Sequence, residues 1–181
     1  MKVLRLTSNK VDDEWVKALA DALSTNQCLE ELNLDDNEIS DEGAITIAAV
    51  LKINRTLKWL TLSSNKVGDE GVKALADSLS TNHCLEELYL YDNGITDEGA
   101  ISIATVLRTN NTLKILALNN NKVGDKGVKV LADALLTNQW LESLALGGNR
   151  IRDEGAIAIA AALNINITLQ KFRLQMKERH Q

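Results

Sequence analysis

The chain of 181 residues contains no proline, where average usage of ~5% would supply about nine. Proline-stiffened linkers are therefore excluded, and no flexible or low-complexity stretch takes their place. Aromatic residues are scarce: three Trp, two Tyr and one Phe. A core must then be built from aliphatic side chains, and a 45% hydrophobic fraction supplies enough of them. His83 and His180 have no plausible metal-ligand companions in the sequence, so neither a metal nor a cofactor is expected. No apolar run approaches the ~18 residues needed to span a membrane. The opening MKVLRLTSNK lacks the apolar stretch and cleavage site of a signal peptide. A cytoplasmic protein without a membrane partner is the expectation.

What the chain has is repetition. Asn9, Asn37, Asn65, Asn93, Asn121 and Asn149 recur at a step of 28 residues, and Asn26, Asn54, Asn82, Asn110, Asn138 and Asn166 keep the same step. A fixed period means one supersecondary unit stacked on itself. The period also tests the two cysteines. Cys28 and Cys84 occupy one repeat position, two repeats apart. Parallel strands ~4.8 Å apart would separate them by about 10 Å, whereas a disulfide needs Cα atoms within about 7 Å. Trp140 takes the same position later, which predicts an apolar pocket holding two buried, reduced thiols.

One unit shows what is stacked. Leu57, Leu60 and Leu62 precede Asn65 and Val67, giving L-x-x-L-x-L-x-x-N-x-V. Leu60 and Leu62 lie two apart, the period of a strand with one buried face. Val72, Leu75, Ala76 and Leu79 then fall at i, i+3, i+4 and i+7, the stripe of a helix. Ser40 and Thr96 suit N-caps. Asp41-Glu42, Asp69-Glu70 and Asp97-Glu98 put negative charge at helix starts, where the dipole favours it. Asn54 and Asn82 suit a left-handed helix end. Each unit is thus strand, turn and helix. It cannot bury its apolar face alone, so neighbours must stack. Equal spacing puts the strands in a parallel sheet. The wider helices bend the stack around it.

These residues resemble the leucine-rich repeat, and the 28-residue helical unit resembles its ribonuclease-inhibitor subclass. The segment NxITDEGAxxIAxxLxxN, at Asn93 to Asn110, is similar to repeats of NOD-like receptors, and the GTPase-activating protein of the Ran GTPase carries related repeats. The resemblance spans residues 1–174. It implies an α/β leucine-rich-repeat solenoid, a horseshoe with parallel strands on the concave face and helices on the convex face. It also implies that the Asn9-type residues bond backbone groups in a buried ladder. About six 28-residue repeats plus a terminal strand are expected, as one domain 1–181. Residues 1–28 form its N-terminal repeat, 29–168 its central repeats, and 169–181 a last strand with a polar cap. With only two cysteines the chain departs from ribonuclease inhibitors. Trp15 stands where later repeats have Gly43, Gly71, Gly99, Gly127 and Gly155. It either closes the open first edge or offers a surface for self-association there.

Function is expected where the scaffold does not dictate the residue. The outward strand positions flank Leu60 and its equivalents. On three adjacent strands they hold Trp59, Tyr89, Tyr91 and Ile115, large side chains on an open sheet. Trp and Tyr are common interface anchors. Residues 9–36 differ from 65–92 at 6 of 28 positions, and 37–64 from 93–120 at 11 of 28. Of these 17 differences, six fall among ten outward positions and eleven among the other 46. The scaffold is copied and the face varies.

Lys2, Glu30, Lys58, Glu86, Lys114 and Glu142 alternate in sign along one row, as in a cross-strand ladder. The remaining concave acids are Glu31, Asp35, Asp36, Glu87 and Asp92, with Arg5, Lys171 and Arg173 toward the ends. An acidic middle favours a basic protein partner. It disfavours nucleic acid, whose phosphates need clustered Lys and Arg. The Asp35-Asp36-Asn37 segment and the N-x-S/T sites at Asn54, Asn110 and Asn166 have repeat roles, so calcium and glycan readings are set aside. No nucleophile–base pair is visible, and no catalytic residue is assigned. The expected function is a non-catalytic protein-binding module, with Trp59, Tyr89, Tyr91 and Ile115 as contacts and Glu31, Glu87, Asp35 and Asp92 selecting charge. The alternatives are a GTPase-activating or ribonuclease-inhibitor-like regulator, a receptor fragment, or a designed repeat scaffold.

Overall fold

A computed structural model describes residues 1–174. The element order is β1 (Val3–Arg5), α1 (Asp13–Thr25), β2 (Glu31–Asn33), α2 (Asp41–Leu51), β3 (Trp59–Thr61), α3 (Asp69–Leu79) and β4 (Glu87–Tyr89). It continues with α4 (Asp97–Leu107), β5 (Ile115–Ala117), α5 (Asp125–Leu135), β6 (Ser143–Ala145), α6 (Asp153–Leu163) and β7 (Lys171–Arg173). The strands form one seven-stranded sheet in sequence order. Every neighbouring pair is parallel, with residues paired at the 28-residue step, as in Glu31 with Trp59 and Trp59 with Glu87. The expected solenoid of strand–helix repeats is therefore the observed one. Polar residues 175–181, expected to cap it, lie outside the described residues.

Each repeat points its leucines into one continuous core. Leu60, Leu62, Leu88 and Leu90 are buried from the sheet side, and Val72, Leu75, Ala76 and Leu79 from the helix side. One residue per repeat turns the chain between the two. Ser8, Asp36, Ser64, Asp92 and Asn120 have φ of 52–58°, and Gly148 takes the same place at 73°.

Three ladders tie the repeats together. Asn37, Asn65, Asn93, Asn121 and Asn149 bond backbone groups, Asn37 and Asn121 buried and the other three half-buried. Asn37 donates through Nδ2 to the carbonyls of Leu6 and Leu34, and its Oδ1 accepts from Asn9 N and Val11 N. Asn9, with no repeat before it, is exposed and bonds the carbonyl of Thr7.

The second asparagine does not serve as the expected left-handed helix end. Helices α2 and α3 stop at Leu51 and Leu79, with Lys52 and Ser80 as right-handed caps. Asn82 lies beyond, fully buried. Its Nδ2 donates to the carbonyls of Leu51 and Asn54, and its Oδ1 accepts from Cys84 N and Leu85 N. Asparagine is needed here because one side chain must supply both donors and acceptors to backbone that no helix or strand satisfies.

The third ladder is aspartate. The first acid of α1 to α5 reaches the next helix, beyond the expected role at its own dipole. Asp41 Oδ1 accepts from Gly68 N at 2.6 Å and Gly71 N at 3.0 Å. Asp69 does the same for Thr96 N and Gly99 N, and also takes the Thr96 hydroxyl. A Cβ at Gly71 would stand 2.7 Å from Asp41 Oδ1, which is why glycine recurs there. α1 is the first described helix, and Asp12 caps it from within the repeat by accepting from Trp15 N.

The cysteine expectation fails. Cys28 is exposed, Cys84 half-buried, both are free, and Trp140 is 55% exposed. Their neighbours Leu29, Leu85 and Leu141 take the inward direction. Consecutive residues of an extended segment point to opposite sides, so the preceding side chain faces out.

Candidate interaction face

Trp59, Tyr89 and Ile115 stand on β3, β4 and β5, with Tyr91 just beyond β4. Each strand buries its central leucine and turns the flanking residues to the concave side. The rings of Trp59 and Tyr89 meet at 5.5 Å between centroids, inclined by 49°. Tilted pairs at this separation suit the ring quadrupoles. Trp59, Tyr89 and Ile115 are half-buried and Tyr91 is 38% exposed. Glu87 sits in register between Trp59 and Ile115, and its carboxylate accepts the Tyr89 hydroxyl at 2.7 Å. Burial first, then this bond to an anion, pushes the Tyr89 phenol up to about 12. Burial, with Asp35, Asp92 and Asp36 nearby, also raises Tyr91.

Outward positions on and just beyond β3 are not open. Thr61 and Ser63 are 1% and 0% exposed. The Thr61 hydroxyl and Ser63 N both donate to Asp35 Oδ1. The Thr61 and Ser63 hydroxyls also lie 3.0 Å apart, so both side chains are engaged with each other and Thr61 with this carboxylate.

The predicted acids are partly committed within the molecule. Asp35 holds Thr61 and Ser63, Asp92 accepts Ser64 Oγ at 3.3 Å, and Asp36 accepts Ser8 Oγ. Glu31 pairs with Arg5 at 3.5 Å. The alternating row forms contacts at Lys2–Glu30, Glu30–Lys58 and Lys114–Glu86. These pairs are solvated and add little stability.

Next to the aromatic cluster lies an open hollow of about 420 Å³ that the sequence reading missed. Tyr89, Tyr91 and Ile115 form one wall, Ala117, Ser143 and Ala145 the floor, and Lys171 and Arg173 the other wall. Trp59, Glu31 and Asp35 lie outside it. The available signal was the fall in side-chain size along one row, from Tyr89 to Ala117 to Ala145. Among the described residues no group of three His, Cys, Asp or Glu side chains is placed to hold a metal. No helix among them is long and apolar enough to cross a membrane.

The Leucine Rich repeat family model matches residues 25–48, 54–76, 81–104, 109–132 and 137–160. Among proteins of curated function, none matches the sequence. Solved structures share the fold. The chain is similar to Leiomodin-1 Actin-Binding Site 2, at 24% identity and a TM-score of 0.70, over 82% of this chain and 87% of that one. It is similar to the tropomodulin C-terminal domain of Caenorhabditis elegans at 15% identity and 0.65, over 83% and 92%. An internalin of Listeria monocytogenes aligns at 22% identity and 0.59, over 99% of this chain and 50% of that one. Identities this low show the fold alone.

Proposed function

The chain belongs to the leucine-rich repeat family, and from the Trp59–Tyr89 pair we propose that it is a non-catalytic module that binds a protein partner on its concave face. The observation that carries this reading is a large aromatic pair, with Tyr91 and Ile115 beside it, on an open sheet. The scaffold does not require them, since other repeats hold Asn33, Ala117 and Ala145 in the row of Tyr89. A face fixed by three hydrogen-bond ladders loses little conformational entropy on binding. Trp59 and Tyr89 act as anchors. Glu31, Glu87 and Asp92, around the pair, favour a basic segment of the partner at this end of the face. The non-catalytic reading is supported by the carboxylates, which recur with the repeat and serve it.

The ribonuclease-inhibitor-like subclass is part of the proposal, resting on the 28-residue register and the helix in every full repeat. A cytoplasmic location rests on the two free cysteines. Self-association at the N-terminal edge rests on Trp15, 43% exposed.

The test is affinity for a partner captured by crosslinking and then purified. Trp59→Ala and Tyr89→Ala are each expected to weaken binding by about 2 kcal/mol or more. Calorimetry showing both variants at wild-type affinity overturns the site.

A further inference from the structure

We propose that the hollow beside the aromatic cluster binds an extended acidic segment of a protein partner. An aliphatic side chain of the segment lies against Tyr89 and Ile115, and its carboxylates meet Lys171 and Arg173. The proposal rests on the concave-face reading and gives it a direction: basic partner residues toward β2, acidic ones toward β7.

Shape is the first argument. The small side chains of Ala117, Ser143 and Ala145 drop the floor below the walls, leaving about 420 Å³. That is within the ordinary range for ligand sites and suits one anchored side chain with the backbone that carries it.

Charge is the second. The sheet-side cations Lys2, Arg5, Lys58 and Lys114 each have a carboxylate within 4 Å. Among the described residues, Lys171 and Arg173 have none. Their register partners are Ser143 and Ala145, which carry no charge. Both cations are exposed on the last described strand. They lie two residues apart on one face, roughly 7 Å along a strand, the repeat of alternate side chains in an extended peptide. Glu142 lines the same hollow and repels a carboxylate there, which favours placement of the acidic groups toward Arg173. Two cations are too few to hold a nucleic-acid backbone, and the chain carries a net charge of −5. The aliphatic anchor supplies most of the affinity. The charges supply orientation and association rate.

The probe is a library of random peptides displayed on phage and selected on the folded protein. Peptides with Asp or Glu near an aliphatic residue are expected to be enriched. A synthetic winner should lose roughly tenfold in affinity on Lys171→Glu/Arg173→Glu, less on Lys171→Gln/Arg173→Gln, and weaken with salt. Both positions are exposed, and unchanged circular dichroism and melting confirm that the variants fold. Neutral or basic winners, no winners, or acidic winners indifferent to charge reversal overturn the inference. Winners that depend on Tyr89 but not on Lys171 and Arg173 leave the concave-face reading standing and defeat this one alone. Winners that bind without Tyr89 or Trp59 defeat the reading itself.

Discussion

Among the described residues the first and last helical repeats stand at the two ends of one stack, yet the core positions of the first are the more fully buried. Val11, Val16, Leu23 and Leu29 are buried to between 0 and 4% exposure. Their counterparts Ile151, Ala156, Leu163 and Leu169 are only half-buried. Ile157 and Ile167 are 68% and 91% exposed. The helical stripe packs on its own strand and on the helix that follows. Among the described residues, the repeat at the β1 edge loses little, and the repeat with no described helix after it lacks that wall. The ends of such a solenoid are thus physically different even when their sequences are near copies, and their equivalent residues can be weighed against each other.

The largest contrast is expected from core truncation. Leu23→Ala should cost about 3 kcal/mol, since it opens a cavity in a closed site. Leu163→Ala should cost about 1 kcal/mol, because its site already meets solvent. Urea denaturation of both variants measures the difference, and equal losses would refute the one-sided packing.

A middle-sized contrast is expected at the capping ladder. Gly71→Ala places a Cβ against the Asp41 carboxylate and disturbs bonds to Gly68 N and Gly71 N. It should cost about 2 kcal/mol. Trp15→Ala, at the same repeat position but with no carboxylate before it, should stay within about 0.5 kcal/mol. Thermal melts decide, and a Trp15 loss as large as the Gly71 loss would show that Trp15 seals the edge.

The smallest change sharpens the ends as surfaces. Lys17, Lys73 and Lys129 hold the position of Ile157 in alternate helices. Ile157→Lys should therefore leave stability within about 0.5 kcal/mol. Sedimentation over a concentration series, with Trp15→Lys alongside, shows which end self-associates. A species that survives both changes would assign association to neither.

The backbone plan was readable because its signals are local. A two-residue period sits next to a helical stripe, and the 28-residue step gives the register. The missed features depend on residues far apart in sequence. Asp41 caps α3 across 27 residues, at Gly68, and nothing near Asp41 announces it. Thr61 and Ser63 have outward directions, yet both are closed, with Thr61 Oγ1 and Ser63 N bonded to Asp35 from the preceding repeat. Cys28 and Trp140 face out despite their apolar type, because alternation next to the buried Leu29 and Leu141 sets their direction. The aromatic cluster followed from row positions alone. The hollow required side-chain volumes from β4 to β7 to be taken together.

The alternating charge row has a consequence for how such a chain can change length. Glu30 lies between Lys2 and Lys58, and Lys114 beside Glu86. Loss of a single repeat by unequal recombination would set Glu86 next to Glu30. Loss of a pair would set Lys114 there and preserve the match. The caps of α2 to α5 follow the same rhythm, with Ser40 and Thr96 alternating with Gly68 and Gly124, and Arg152 at α6 departs from it. Charge matching along this row therefore repeats every two units, although the structural unit is one.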